Sequence, residues 1–296
     1  MPLMISGGKV KLPRSVVTEY INKAKDSSTV AALTPSAPQS FSDVDHMIFV
    51  PSAEAEVVEE GAAKSSYEQD LDAVTGKRVK VITNTRVSDE LKWADEDNRM
   101  EIISHIVEDQ SQAIGRALDY VVYHAINPRK GTALSGYDAL TAKAQQVTAT
   151  DDELENIDAL TDKLIDYAVN GIALSRAYAA ALRKLRVPAT GLRLFPEIPL
   201  SLEVGSLDGI PAACSGTVNG RLATTPTNVE AIMGDFGLIK WGYVRDAYSE
   251  VIEYGDPDNT GKDLKGNNQV CYRTEAVLGY AVLDYDGFAV LKKEAE

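Results

Sequence analysis

Apolar positions follow two different periods along this chain, and the switch between them is abrupt. In RVKVITNTRV, Val79, Val81, Thr83, Thr85 and Val87 fall on one face, and Arg78, Lys80, Ile82, Asn84 and Arg86 on the other. A repeat of two marks a strand. The second face is largely charged, and a two-stranded ribbon is marginal in water, so this segment predicts a supporting surface outside itself. Beyond Ser88 the period becomes three and four. Ile103, Ile106, Val107, Ile114, Ala117, Leu118, Val121 and Ala125 mark one face of a helix that continues to Ile126. Ser88, Asp89 and Glu90 predict a capped helical turn, and Asp95-Glu96-Asp97-Asn98 a break after it. Asn127-Pro128 predicts the end, because a residue before proline avoids the helical region. From Asn98 to Ile126 such a helix is about 43 Å long.

The flanks carry weaker patterns. Residues 1 to about 50 read as an arm, with an amphipathic patch from Ser15 to Lys25 and then SSTVAALTPSAPQS, too poor in large apolar groups to pack alone. MIFVP from Met47 reads as a strand, and the acidic stretch Glu54 to Asp72, with Gly61 as turn signal, predicts two extended segments around a tip. Downstream, Asp152 opens a helix with Leu154, Ile157, Leu160, Leu164, Ile165 and Ala168 on its inner face and Gly171 as its cap. Ile172-Ala173-Leu174 is a short buried strand, and Ser175 caps a helix from Arg176 to Leu185. Strands then alternate with Gly/Pro turns, ending in a long strand from Val270 to Val282, a turn at Asp284 to Gly287 and a strand from Phe288 to Leu291. Helices followed by antiparallel strands give an α+β fold.

Composition narrows the function. With 296 residues, 44% of them apolar and 25% charged, the chain can bury a substantial core in one large domain or two smaller ones. No apolar run reaches the roughly 18 residues of a membrane span, and the N-terminus has no continuous apolar stretch of signal-peptide type. A formal charge of -14 argues against a surface built to grip nucleic acid. The first 25 residues differ, with Lys9, Lys11, Arg14, Lys23 and Lys25 against Glu19 alone. This basic arm is either a solvated tail or a contact for packaged nucleic acid or an acidic neighbour.

Candidate chemistry is sparse. Cys214 and Cys271 fit no metal or redox spacing and read as two buried thiols. His105 and His124, nineteen residues apart on one helix, cannot share a metal and read as helix-surface or interface residues, and His46 stands alone. Glu59-Glu60 and Asp95 to Asp97 lack the ligand-and-glycine spacing of a calcium loop. Phosphate-binding, nucleophile-elbow and zinc-protease signatures are missing. The expectation is a protein that is not an enzyme, with no catalytic, cofactor-binding or metal-binding residues.

Several short motifs, in order, resemble the major capsid proteins of tailed phages with the HK97-type fold. They are Glu54 to Gly61, Val87-Ser88-Asp89-Glu90, Asn127-Pro128, Gly209-Ile210-Pro211, Gly234-Asp235-Phe236, Arg273-Thr274-Glu275 and Asp286-Gly287-Phe288. The resemblance implies an N-terminal arm at 1–50, an extended hairpin (E-loop) at 51–87 lying over an adjacent subunit, and a P-domain with its spine helix at 88–130. It further implies an A-domain at 131–247, P-domain return strands at 248–283 and a C-terminal strand at 284–296. The subunit would join hexamers and pentamers of an icosahedral shell around double-stranded DNA, held without sequence specificity. It would be assembled in the bacterial cytoplasm, without membrane contact. A separate scaffolding protein is expected because only about fifty residues precede the hairpin, together with a portal and decoration proteins. Glu60, Lys64, Arg78, Lys80 and Arg86 are the subunit-contact candidates, with the hairpin arginines docking on an acidic neighbour. Lys64, Asn267, Asn268 and Glu275 match no cross-linking motif position by position, so a non-covalent shell is expected. An encapsulin-type compartment, which shares the fold, is the alternative.

Overall fold

The computed structural model describes residues 28–37, 45–49, 57–59, 64, 71–89 and 96–294. Helix α1 (Thr29–Leu33) and the paired strands β1 (Asp45–Phe49) and β2 (Leu71–Thr75) come first. Strand β3 (Lys77–Ser88) precedes the long helix α2 (Glu96–His124). Then follow α3 (Leu140–Lys143), β4 (Gln145–Thr148), α4 (Glu153–Lys163), β5 (Gly171–Leu174), α5 (Arg176–Leu182), β6 (Ser206–Leu207) and β7 (Ile210–Cys214). The strands β8 (Val229–Gly234), β9 (Ile239–Ile252), β10 (Gln269–Val282) and β11 (Phe288–Lys292) complete the series.

Two sheets organise the larger body. The first has the order β3-β10-β9 and is antiparallel throughout. The second has the order β4-β11-β8-β5-β7-β6. It is mixed, because β4–β11 and β5–β7 are parallel pairs, which corrects the expectation of antiparallel strands alone. The β5–β7 connection runs through α5, the kind of crossover that parallel neighbours need, while β4 and β11 are joined only through the whole intervening chain. Both faces of the second sheet are covered. Ala173, Ile232, Phe288 and Val290 point into a core shared with α2, while Ile172, Leu174, Met233 and Leu291 point into one shared with α4 and α5.

The polar ribbon predicted at 78–87 finds its support inside its own chain. From Lys77 opposite Tyr280 to Ser88 opposite Gln269, β3 pairs along its whole length with β10. Val79, Val81 and Val87 face the cores that contain α2, and Val270, Tyr272, Leu278 and Tyr280 of β10 lie on the same side. The outside surface that the segment calls for is β10 of the same chain, where the resemblance implied a hairpin lying over an adjacent subunit. The distant partner strand could not be read from local periodicity.

Helix α2 has 29 residues and is therefore about 43 Å long. Ile103, Ile106, Val107, Ile114, Ala117, Leu118 and Val121 are all buried, as the periodicity requires. Gln110 fixes the helix on the first sheet: its Nε2 donates to Thr85 Oγ1 at 3.0 Å and to the Tyr272 carbonyl at 3.1 Å, and Thr274 Oγ1 donates to its Oε1. The helix ends at His124, before the predicted proline signal, because Ala125 takes the left-handed conformation (φ 49). Ser88 is the last residue of β3 and Asp89 enters a 3-10 turn, while the rest of the predicted helical turn, from Glu90, lies outside the described residues. Asp152 and Ser175 cap α4 and α5 as expected, accepting from the amides of Leu154 and Tyr178 respectively. Leu154 and Ile165 are exposed, however, and Gly171 starts β5 instead of ending the helix.

Gly234 shows how tightly the second sheet is packed. A Cβ there would collide with the Gly287 carbonyl and sit 2.9 Å from Phe288 Cα. Both obstacles are backbone and cannot rotate away, so Gly234→Ala is expected to cost about 3 kcal/mol. Urea denaturation would show it; a loss below about 0.5 kcal/mol would contradict the contact.

Candidate assembly site

Three groups of polar side chains tie distant segments together, and two of the predicted contact residues, Lys80 and Arg86, belong to them. The first lies on the outer face of the β3-β10-β9 sheet. The Arg86 guanidinium donates through Nε to both Asp258 carboxylate oxygens at 2.9 Å, through Nη2 to Asp256 Oδ1 and to Asp258, and through Nη1 to the Lys262 carbonyl at 2.9 Å. The Asp258 carboxylate holds Arg86 above its usual range. One strand further, Lys80 Nζ lies 2.9 Å from Glu275 Oε2, and Tyr248 Oη donates to the same oxygen at 3.0 Å. These bonds keep the Glu275 carboxyl below the usual carboxylate range, with the Lys80 bond the largest cause.

The expectation that Arg86 docks on an acidic neighbour therefore meets a different arrangement, in which its acidic partners belong to its own chain. Lys80 is likewise paired within the chain, although its side chain is 58% exposed. Arg78 and Lys64 are exposed on the surface, and Glu60 lies outside the described residues. Asn267, considered for cross-linking, donates its amide to the Asp263 carbonyl at 2.7 Å.

The second group joins the arm to the long helix. Asp119 is fully buried, and its carboxylate accepts from Ser28 Oγ, from the Thr29 amide (3.0 Å) and hydroxyl (2.9 Å), from the Val30 amide (3.2 Å) and from Thr217 Oγ1 (2.5 Å). A carboxylate at the first turn of α1 also meets the positive end of the peptide dipoles. Past the helix, Trp241 Nε1 donates to the Thr34 carbonyl at 3.0 Å and the Ala37 amide to the Trp241 carbonyl at 3.0 Å. Segment 28–37 is thereby fastened to both α2 and β9. Asp119 escaped the sequence reading, although a lone acid inside the apolar run ALDYVVYH is a legible signal.

The third group surrounds His124. The ring is buried, with Nε2 3.0 Å from the Thr217 carbonyl and Nδ1 3.2 Å from Thr227 Oγ1. A carbonyl can only accept, so Nε2 carries the proton. Burial pushes its pKa down to about 4. This corrects the prediction of a surface or interface histidine: Thr217, Gly220 and Thr227 pack against the ring and cover the helix end. His105, by contrast, is exposed beside Glu108.

A cleft of 940 Å³ opens between α2 and β7, lined in part by Arg116, Tyr120, Arg176, Glu203, Cys214 and Arg221. Burial raises the Cys214 thiol, which makes it a poor nucleophile. Cys214 and Cys271 are both free thiols. Among the described residues no group of three or more His, Cys, Asp or Glu side chains is placed to hold a metal ion, and no helix is long and apolar enough to cross a membrane.

Interlocked segments held by polar clamps, on a scaffold of two sheets and a spanning helix, define a structural subunit. The family model described as the phage capsid family matches residues 8–293, and the chain belongs to that family. It is a major capsid protein, a structural protein of the bacteriophage virion that forms the shell. A solved structure from Mycobacterium phage Ogopogo is 32% identical, with a TM-score of 0.80 over 90% of this chain and 92% of that one. One from Gordonia phage Cozz is 28% identical, with a TM-score of 0.75 over 91% and 87% of the two chains. The capsid of a native GTA particle shares the fold at 15% identity, with a TM-score of 0.57 over 91% of each chain. No match is found among the curated proteins.

Proposed function

We propose that the chain builds an icosahedral shell of hexamers and pentamers around double-stranded DNA, using the HK97-type division of labour. The observation that carries this is the pairing of one long helix with the β3-β10-β9 sheet, next to a separate six-stranded sheet. On this reading α2 and the three-stranded sheet form the P-domain, and the six-stranded sheet with α4 and α5 forms the A-domain. The segment between β1 and β2 would be the E-loop on this reading, and the β3–β10 pairing supports ending it near residue 76. The strand β11 then serves the A-domain sheet, because it lies between β4 and β8. The acidic balance of the chain supports packaging without sequence specificity, since a strongly basic lining would retain the genome. Family membership supports a portal, a scaffolding protein and decoration proteins as further partners, assembly in the host cytoplasm and a mechanical rather than enzymatic role.

Negative-stain microscopy of the chain co-expressed with its neighbouring gene products tests this. Uniform hollow shells that dissolve to a single monomer band on a denaturing gel are expected. Disperse monomers would overturn the assembly reading, and ladders of chain multiples would overturn a non-covalent shell.

A further inference from the structure

We propose that the cleft between α2 and β7 receives phosphate groups of the enclosed DNA, held by Arg116, Arg176 and Arg221, and that the basic arm ahead of Ser28 extends the same contact. The inference rests on the reading that the shell holds DNA. Acidic residues outnumber lysine and arginine 44 to 30, so basic side chains have carboxylates in excess to pair with. Lys80, Arg86, Lys143 and Arg273 are each paired in this way. Arg116, Arg176 and Arg221 have no ion-pair partner among the described residues, and all three line one cleft.

The three arginines come from separate elements. Arg116 lies on α2 one turn before Tyr120, Arg176 opens α5, and Arg221 follows β7. Arg221 runs across the Gly216 backbone, its Cζ 3.7 Å from where a Cβ would stand. Burial raises the Tyr120 hydroxyl, and the charges of Arg221 and Arg116 draw it back. Arg176 acts in the same sense on the Cys214 thiol, which burial raises. Like charges that converge on one cleft repel one another, and an anion between them reverses the sign of that interaction. Two carboxylates, Glu108 and Glu203, also line the cleft, but Glu108 lies beside His105 on its own helix and the arginines outnumber them. The guanidinium fork offers paired donors that match two phosphate oxygens. At 940 Å³ the cleft is at the upper end of ligand-sized cavities, wide enough for a backbone segment. Ser28 and Thr29 line it, so the arm with Lys9, Lys11, Arg14, Lys23 and Lys25 joins the body at the cleft itself. Phosphate contacts carry no base readout, in keeping with packaging without sequence specificity. Three charges per subunit leave the contact sensitive to salt, so the genome is not retained.

The test is fluorescence anisotropy of a short labelled DNA duplex with the full, unassembled chain across about 50–200 mM salt. Arg116→Gln, Arg176→Gln and Arg221→Gln should each reduce the slope of log K against log salt by about 0.9, and the triple variant by about 2.7. Arg176 and Arg221 are exposed, so their replacement leaves the core untouched. Lysine at the same three positions should restore the slope, because it releases the same counterions. Lys23→Gln and Lys25→Gln should add to the loss. Arg193→Gln, an exposed arginine outside the cleft, should change nothing, and neither should a second duplex of unrelated sequence. Wild-type slopes in the glutamine variants overturn the proposal. Binding of inorganic phosphate without duplex affinity also overturns it, by making the cleft a site for a free anion. Tighter binding of a peptide of residues 54–60 than of duplex does the same, by making it a subunit contact. Because no shell is needed for the measurement, loss of binding leaves the shell reading standing, and failed assembly leaves the slopes readable.

Discussion

Asp119→Ala is expected to lower the unfolding free energy by at least about 4 kcal/mol. The carboxylate satisfies five donors, from Ser28, Thr29 twice, Val30 and Thr217, in a site closed to water. Each buried donor left without a partner costs about 1–3 kcal/mol; alanine strands Ser28 Oγ and the amides of Thr29 and Val30, while the Thr29 and Thr217 hydroxyls keep Tyr123 Oη and Ser215 Oγ, each at 3.0 Å. Segment 28–37 should become accessible to protease at the same time, since the start of α1 loses its anchor on the long helix. Asp119→Asn separates hydrogen bonding from packing. The amide keeps the volume but turns N–H groups toward other donors, so most of the loss should persist. A variant with near wild-type urea midpoint would show that the site can rearrange and that the clamp carries little.

Acidification should weaken the fold through His124. Its folded pKa of about 4 lies below the ordinary value of 6.5, with burial the largest cause. Between those values the unfolded chain binds a proton that the native ring refuses, so stability is complete above about pH 7 and falls as the pH drops toward 4. The full difference is on the order of 3 kcal/mol. Asp119 acts in the opposite direction, because burial raises its carboxyl against the hydrogen bonds from Ser28, Thr217, Thr29 and Val30. Its native form takes up a proton first as the pH falls, which favours the fold. The informative quantity is therefore the difference between wild type and His124→Gln across pH 4–7, measured by urea denaturation. Parallel curves for the two proteins would refute the assignment.

Local periodicity made the long helix, its buried face, the strands at 172–174 and 270–282 and the caps Asp152 and Ser175 legible. It could not say where the ribbon at 78–87 lies, because the answer is β10, far along the chain. It also treated every charge on that ribbon as available to a neighbour, whereas Arg86 and Lys80 are engaged at home. Chain direction within the second sheet depends on crossovers that no single segment encodes. Two signals were present in the residue order and went unread: the lone Asp119 in an apolar helix, and the paired acids Asp256 and Asp258. Both become informative only beside their partners, Ser28 to Val30 in one case and Arg86 in the other.

The register that joins Lys77 to Tyr280 and Ser88 to Gln269 also constrains timing. A strand that must wait for a partner so much later in synthesis stays unpaired while the intervening chain emerges, and contacts this distant form slowly. During that interval the β3 edge is an adhesive surface when many identical chains are being made side by side. The charges on its outer face then have a second use, as a deterrent to premature pairing between nascent copies before each has closed on its own β10.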